Sequence, residues 1–255
     1  MDLPKDIVVG LGEIGMPLFK VLAKSFPIVG YDKRTDLIHA RQAKQLQNEP
    51  TIFIHICIPF LDNFVGEIKK LVTKYKPQGI VVHSTIKPHT TETIQRDLKI
   101  PVIYSATRGV HKRMTKDLKR YTKFYSVYDW APKAGWASKM YEKRMTDAGI
   151  KTKRMTSPLT LELAKIIVDT SYYAWLICYA QLTNMIAIKN KVNYDEMWSF
   201  SDEIHKFLGN RPKMFPGLIG GHCLMPNLEL IQDDTLNLIK EINSDYANIL
   251  KKRQA

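Results

Sequence analysis

The sequence predicts an α/β chain in which a Rossmann-type doubly wound parallel sheet is followed by a smaller all-α domain with a long central helix. Three observations carry that expectation. Short Val- and Ile-rich runs alternate with polar segments of helical length through the first half, the pattern of a parallel sheet with right-handed crossovers. The turn Gly10-Leu11-Gly12-Glu13-Ile14-Gly15 joins the first such run to the first helical segment. From Leu159 to Asn190 the chain then runs without Gly or Pro.

Each element follows from local residues. Ile7–Val9, Pro27–Tyr31, Thr51–Ile58, Gly79–Ser84 and Pro101–Tyr104 read as buried strands, being short, β-branched and bounded by Gly or Pro. Phe124–Tyr128 reads as a sixth strand completing the sheet. Helices are expected over Met16–Ser25, Thr35–Gln45, Asp62–Tyr75, Thr90–Leu98 and Pro132–Ala148. The basic stretch after Gly149 is a strand or a loop, and Ser157-Pro158-Leu159 fits a helix N-cap with Pro at the first helical position. The following helix is apolar nearly all round, which requires burial and points to a subunit interface over residues 159–190. Further helices are expected near Tyr194–Leu208 and Leu228–Leu250. Domains are placed at residues 1–153 and 154–255, the first binding a dinucleotide and the second serving dimerisation and substrate binding.

With 255 residues, 45% hydrophobic and 25% charged, the chain can bury real cores, and disordered, collagenous and disulfide-scaffold classes are excluded. Cys57, Cys178 and Cys223 are far apart and have no metal-ligand spacing, which suits a reducing cytoplasm. No secretory leader or membrane span is expected, since the N-terminus lacks a basic region and Tyr172–Ala180 is about half the ~20 residues a span needs. The net charge of +13 is concentrated: Arg108–Arg154 holds 14 Lys and Arg against 4 acids. Such a stretch is either a solvated helical face or an anion site. It shows neither a nucleic-acid motif nor a spaced aromatic platform, so nucleic acid is disfavoured as a partner. His83, His89 and His111 come from separate elements without a carboxylate in ligand spacing, and no metal site is expected.

The glycine turn has the context its chemistry needs. Gly10 permits the tight turn, Gly12 lets backbone approach a pyrophosphate, and Gly15 allows close helix-to-sheet packing, while N–H groups at Glu13 and Ile14 open the helix toward the anion. Asp32 closes the second strand where an acid binds adenosine ribose hydroxyls, favouring NAD; Lys33 and Arg34 beside it weaken the preference over NADP. A methyltransferase using S-adenosylmethionine places an acid similarly, so that cofactor ranks behind the nicotinamides. Arg108, His111 and Lys112 follow the fifth strand on the carboxyl edge, where open α/β folds bind ligands, and suit a small anionic substrate.

The fingerprint VVGLGEIGMPLFKVLAKSFPIVGYD, the segment HSTIKPHTT, the helix ELAKIIVDTSYYAWLICYAQLTNMIA and the loop FPGLIGGHCLMPN occur in the order seen in the UDP-glucose/GDP-mannose (nucleotide-sugar) dehydrogenase family, which the chain resembles. The resemblance implies NAD binding by the first domain, a homodimer through the central helix, and a chain without the family's C-terminal nucleotide-sugar domain. It also implies Cys223 as nucleophile in the loop with Gly220, Gly221 and His222, and Lys165 as oxyanion stabiliser. Ser84 and Thr85 match hydroxyls that approach the nicotinamide and the catalytic water. Three sites depart from the family pattern. Asn227 stands where the family has an aspartate, Asp169 where it has an asparagine, and Ser105-Ala106-Thr107-Arg108 lacks the family's glutamate. The glycine loop is also one residue short.

Oxidation of an alcohol to an acid through cysteine needs base-assisted hydride transfer, thiolate attack, a second hydride transfer and thioester hydrolysis. Without the two acids, water activation lacks a carboxylate, so a single two-electron step or a lost activity is expected before the four-electron reaction. The expectation is therefore a cytoplasmic, homodimeric, NAD-dependent oxidoreductase acting on an anionic alcohol or aldehyde, a sugar nucleotide or something smaller. Alternatives are a catalytically silent, dehydrogenase-like nucleotide-binding protein, and a methyltransferase. The two-domain layout also looks like the β-hydroxyacid dehydrogenases, which lack a Gly-Gly-His-Cys loop.

Overall fold

The structure, a computed structural model, describes residues 4–37, 44, 46–208, 216–220, 224–230, 232 and 234–254. It divides into two compact units, Met1–Leu163 and Ala164–Ala255.

In the first unit, strands β1 (Lys5–Val9), β2 (Ile28–Tyr31), β3 (Thr51–Ile56), β4 (Gly79–Val82) and β5 (Val102–Tyr104) form an all-parallel sheet in the order β2-β1-β3-β4-β5. Their side chains alternate between two cores. Val8, Phe53, Val81 and Ile103 face helices α1 (Gly15–Leu22), α4 (Met114–Arg120) and α5 (Ala134–Asp147). Ile7, Val9, Ile54, Ile56, Ile80 and Val82 face α2 (Phe64–Tyr75), α3 (Thr90–Asp97) and α6 (Pro158–Leu163). A sheet buried on both faces reads as continuous apolar runs, which is why these strands stood out in the sequence.

The expected sixth strand is corrected. β6 (Lys123–Tyr125) pairs in parallel with β7 (Thr152–Arg154) in a separate two-stranded ladder and meets β5 at the antiparallel bridge Tyr104 to Ser126. Helix α4 lies in the basic stretch, where the density of Lys and Arg masks the apolar pair Met114 and Leu118. The expected helix from Thr35 begins as a 3₁₀ turn at Thr35–Leu37, and most of its remainder lies outside the described residues. The unit boundary falls after Leu163, not near residue 153, because β7 belongs to the first unit, Leu161 packs under the sheet, and Glu162 binds the start of α3.

Ser157 caps α6 as expected, its Oγ accepting the Thr160 amide at 3.1 Å. The second unit continues as a π-helical segment, Ala164–Ser171, then α7 (Tyr172–Asn190), α8 (Tyr194–Ser199), α9 (Asp202–Leu208), α10 (Leu224–Leu228) and α11 (Asp234–Gln254). Two expectations are corrected here: the long helix changes winding at Ala164, and the next splits at Phe200 and Ser201. One face of α7, with Ala174 and Cys178, packs with Ile219, Leu228, Leu236 and Ile239. On its other face Tyr172, Tyr179 and Ile186 are more than half exposed, as is Val168 in the π-helical segment before it.

Candidate functional site

The strand order places a topological switch point between β1 and β3, where neighbouring crossovers run to opposite sides and open a crevice at the carboxyl edge. The glycine turn leaves β1 there. Gly10 has φ +87°, and a Cβ on it would lie 2.7 Å from the Cys57 carbonyl oxygen. A Cβ on Gly15 would lie 1.7 Å from Gly10 O, so helix α1 starts hard against the turn. Nothing lies within 4 Å of a Cβ on Gly12, leaving backbone at the crevice open to a ligand.

Asp32 follows β2 and reaches back to this turn. Its Oδ2 accepts the Leu11 amide at 2.6 Å and its Oδ1 the Arg34 amide at 2.9 Å. The carboxylate therefore fixes the turn and presents its remaining lone pairs beside it. Lys33 is exposed at the same edge.

Ser84, just after β4, donates its hydroxyl hydrogen to Ile58 O at 2.5 Å and so staples the segments following β3 and β4 together, with Thr85 half-buried next to it. The groups following β5 are largely engaged. Arg108 Nη2 donates to Thr122 O at 2.9 Å and its guanidinium lies over the Phe124 ring, while Arg113 pairs with Asp117 at 3.0 Å. His111 Nδ1 lies 2.8 Å from Glu13 Oε2, which ties this segment to the glycine turn. Lys112 is exposed. The cluster of cations expected from the sequence is thus partly spent on internal partners.

In the second unit, Lys165 lies in the π-helical segment with its Nζ 2.5 Å from Asp169 Oδ2. That segment packs against α10, which carries half-buried Asn227. Gly220 is exposed, and Gly221, His222 and Cys223 lie outside the described residues. Sequence reasoning missed the residues that hold the loop leading to them. Gln181 Nε2 donates to Gly217 O at 2.8 Å, and Asn243 accepts the Ile219 amide at 2.8 Å and donates to Ile219 O at 3.0 Å. The available signal was an amide, Gln181, within an apolar helix, and a second, Asn243, beside the apolar positions Ile239 and Ile242 of an amphipathic one.

The other two thiols are poorly placed for chemistry. Burial pushes Cys57 up to about 12, against the pull of Lys123, and pushes Cys178 up to about 11. Among the described residues no group of three or more His, Cys, Asp or Glu could hold a metal, and no helix is long and apolar enough to cross a membrane.

Neither a protein-family model nor a curated protein sequence matches the chain. Solved structures do match in shape. The UDP-D-ManNAc dehydrogenase of Pyrococcus horikoshii superposes with a TM-score of 0.77 at 20% identity, over 96% of this chain and 69% of that one. The UDP-N-acetyl-mannosamine dehydrogenase of Staphylococcus aureus gives 0.73 at 17% identity, over 98% and 70%. The 3-hydroxyisobutyrate dehydrogenase of Mycobacterium tuberculosis gives 0.61 at 14% identity, over 98% and 93%. The chain thus has the fold shared by these nucleotide-sugar and hydroxyacid dehydrogenases: a Rossmann-type sheet followed by helices.

Proposed function

We propose that the protein is an oxidoreductase that binds a nicotinamide dinucleotide, NAD ahead of NADP, and acts on an anionic alcohol or aldehyde, a nucleotide sugar or a smaller molecule. The observation that carries this reading is the turn Gly10–Gly15 at the switch point, open at Gly12 and clamped by Asp32. Gly12, Glu13, Ile14 and Gly15 would face the pyrophosphate, Asp32 and Lys33 the adenosine ribose, and Ser84 the nicotinamide side. The bound nicotinamide would supply the hydride acceptor. A proton must leave the alcohol oxygen as hydride leaves its carbon, and Thr85 is the nearby hydroxyl suited to orient a water for it. Cys223 is proposed as the nucleophile toward the aldehyde, with Lys165 and Asn227 steadying the oxyanion and Asp169, Gly220, Gly221, His222, Arg108, His111 and Lys112 contacting substrate.

The likeness to the UDP-ManNAc dehydrogenases supports this reading by fold. The exposed apolar stripe Val168, Tyr172, Tyr179 and Ile186, spaced about every 3.5 residues over two-step intervals, supports a homodimer through the helix 159–190. A cytoplasmic site of action is proposed from three widely spaced cysteines, of which Cys57 and Cys178 are free thiols.

One observation favours a second reading, a catalytically silent nucleotide-binding protein: the Lys165 ammonium is already paired with Asp169. Thermal unfolding with NAD, NADP and S-adenosylmethionine tests the first reading, since a ligand at 100 times its Kd stabilises by about 2.7 kcal/mol. A shift with neither nicotinamide nucleotide sinks it; a shift with S-adenosylmethionine alone favours a methyltransferase. A shift with NAD but no reduction of it, across nucleotide sugars and hydroxy acids, selects the silent protein.

A further inference from the structure

A string of polar groups crosses the otherwise apolar core beneath α5. Asp6 on β1, His55 on β3, His83 after β4 and Ser105 after β5 are all fully buried. His55 Nε2 lies 3.4 Å from Asp6 Oδ2, His55 Nδ1 lies 2.9 Å from His83 Nε2, and His83 Nδ1 lies 3.1 Å from Ser105 O. The two rings meet edge to edge, their centroids 5.2 Å apart and their planes 21° from parallel.

The hydrogens on this string can be counted. A carbonyl oxygen only accepts, so His83 Nδ1 carries a hydrogen, and in a neutral ring its Nε2 is then an acceptor. His55 Nδ1 must donate to it. A neutral His55 would turn a bare Nε2 lone pair toward the Asp6 carboxylate, acceptor against acceptor, with no water to intervene. Two neutral rings bring two N–H groups to three contacts, and a third proton satisfies all three.

We infer that His55 and His83 together hold three ring protons, with His55 an imidazolium whose counter-ion is the Asp6 carboxylate, and that this buried charge anchors the segment Ser105–Thr107 at the carboxyl edge. The third proton belongs on His55 and not on Asp6, because Asp6 Oδ1 already accepts the Phe53 amide at 3.1 Å and Arg144 Nε lies 3.4 Å from Oδ2, both favouring the ionised carboxylate. Burial and the charge of Lys123 hold His83 well below the ordinary histidine range, consistent with its neutral role.

Other charged and titratable groups facing the string are Lys123 on β6, Arg144 and Tyr141 on α5, and Cys57 after β3; α1 and α4 present apolar Leu18, Leu22, Met114 and Leu118. Lys123 and Arg144 repel the extra proton and Asp6 retains it, so it is the proton that leaves as pH rises. Its loss reaches the edge through the tautomers: with one hydrogen left, His55 serves the Asp6 carboxylate from Nε2, and His83 then turns its own hydrogen from Ser105 O to His55 Nδ1. His83 grips Ser105 O with its ring and accepts the Thr107 amide with its own carbonyl at 3.3 Å, while Lys123 Nζ donates to Ser105 O and Thr107 Oγ1. The inference is independent of which ligand the crevice takes.

Imidazole ¹⁵N spectra of the intact native chain test it without a variant. At pH 7.5 one buried ring is expected to show both nitrogens protonated, its partner one protonated and one bare, and the Thr107 amide shift should follow their titration as pH is raised. Two neutral rings overturn the inference, as does a neutral pair beside a protonated Asp6 carboxyl. A cationic ring whose titration leaves the Thr107 amide unmoved overturns the link to the edge. As a second readout, free histidines titrate near 6.5 in the unfolded chain, so above pH 7 folding takes up one proton. The folding constant should therefore fall about tenfold per pH unit more steeply in the native chain than in His55→Gln, until the proton leaves. Equal slopes overturn it.

Discussion

Lys165 Nζ lies 2.5 Å from Asp169 Oδ2, one turn along a segment wound as a π-helix, a geometry frequent at functional sites. In the proposed reaction Asp169 competes with an oxyanion for the Lys165 charge without abolishing it. Being partly exposed, the pair contributes little to folding, about 0.5 kcal/mol or less. Asp169→Asn should therefore leave the unfolding temperature within a degree or two, yet raise turnover several-fold, and Lys165→Ala should lower it about a hundredfold. Reduced-nicotinamide absorbance checks both, and equal turnover in all three proteins removes Lys165 from the chemistry.

The three glycines of the turn separate folding from binding. Gly10→Ala combines positive φ with a 2.7 Å approach to Cys57 O and should cost about 2–3 kcal/mol. Gly12→Ala meets nothing within 4 Å and should leave stability within about 0.5 kcal/mol while abolishing dinucleotide binding. Urea midpoints and calorimetric titration with NAD distinguish them. A Gly12→Ala protein that still binds NAD normally would move the pyrophosphate elsewhere.

Glu162 is buried and accepts the His89 amide, the Thr91 amide and the Thr91 hydroxyl at the start of α3. Removing it in Glu162→Ala strands three donors and should cost about 3 kcal/mol. Burial, outweighing those donors, raises its pKa above 4.5. A raised carboxyl stabilises the fold most below its unfolded pKa, and that contribution is lost as pH rises through the folded value. The stability advantage of the native chain over Glu162→Gln should accordingly shrink from pH 4 toward pH 7, as read from paired denaturation curves.

With Cys57 at about 12 and Cys178 at about 11, neither thiol ionises appreciably near neutrality. Iodoacetamide at pH 7.5 should mark Cys223 at least about a hundredfold faster than either, by peptide mapping of the native protein. Comparable labelling of all three after unfolding, and none before, would contradict the nucleophile.

The exposed stripe on the central helix predicts self-association. Sedimentation should give a dimer for the native chain and a monomer for Tyr179→Lys with Ile186→Lys, since both side chains are already more than half exposed in the protomer and their exchange leaves its core intact. A monomeric native protein rules the dimer out.

Much of the first unit was legible because its strands are buried on both faces and punctuated by Gly and Pro. The turn at Gly10 was legible because its glycines answer a backbone requirement. What stayed hidden depends on long-range pairing. Nothing local distinguishes Lys123–Tyr125 as a partner of Thr152–Arg154 from a sixth strand beside Val102–Tyr104. The change of winding at Ala164 leaves no mark on composition. His55 and His83 read as isolated histidines within apolar strands, and only the register of β3 beside β4 brings their rings together. Arg108 looked available for an anion because Thr122 O, its acceptor, is a backbone atom with no sequence signature.

The separateness of the β6–β7 ladder bears on how the chain folds as it is made. All pairings of the five-stranded sheet lie between Lys5 and Tyr104. Domains fold as units during synthesis, N-terminal first. The first unit, with the glycine turn and its Asp32 clamp, therefore assembles ahead of the second, once β7 and α6 have emerged to complete it. The glycine turn is then in place while the helices of the second unit are still assembling, and a ligand that binds it would stabilise the nascent chain.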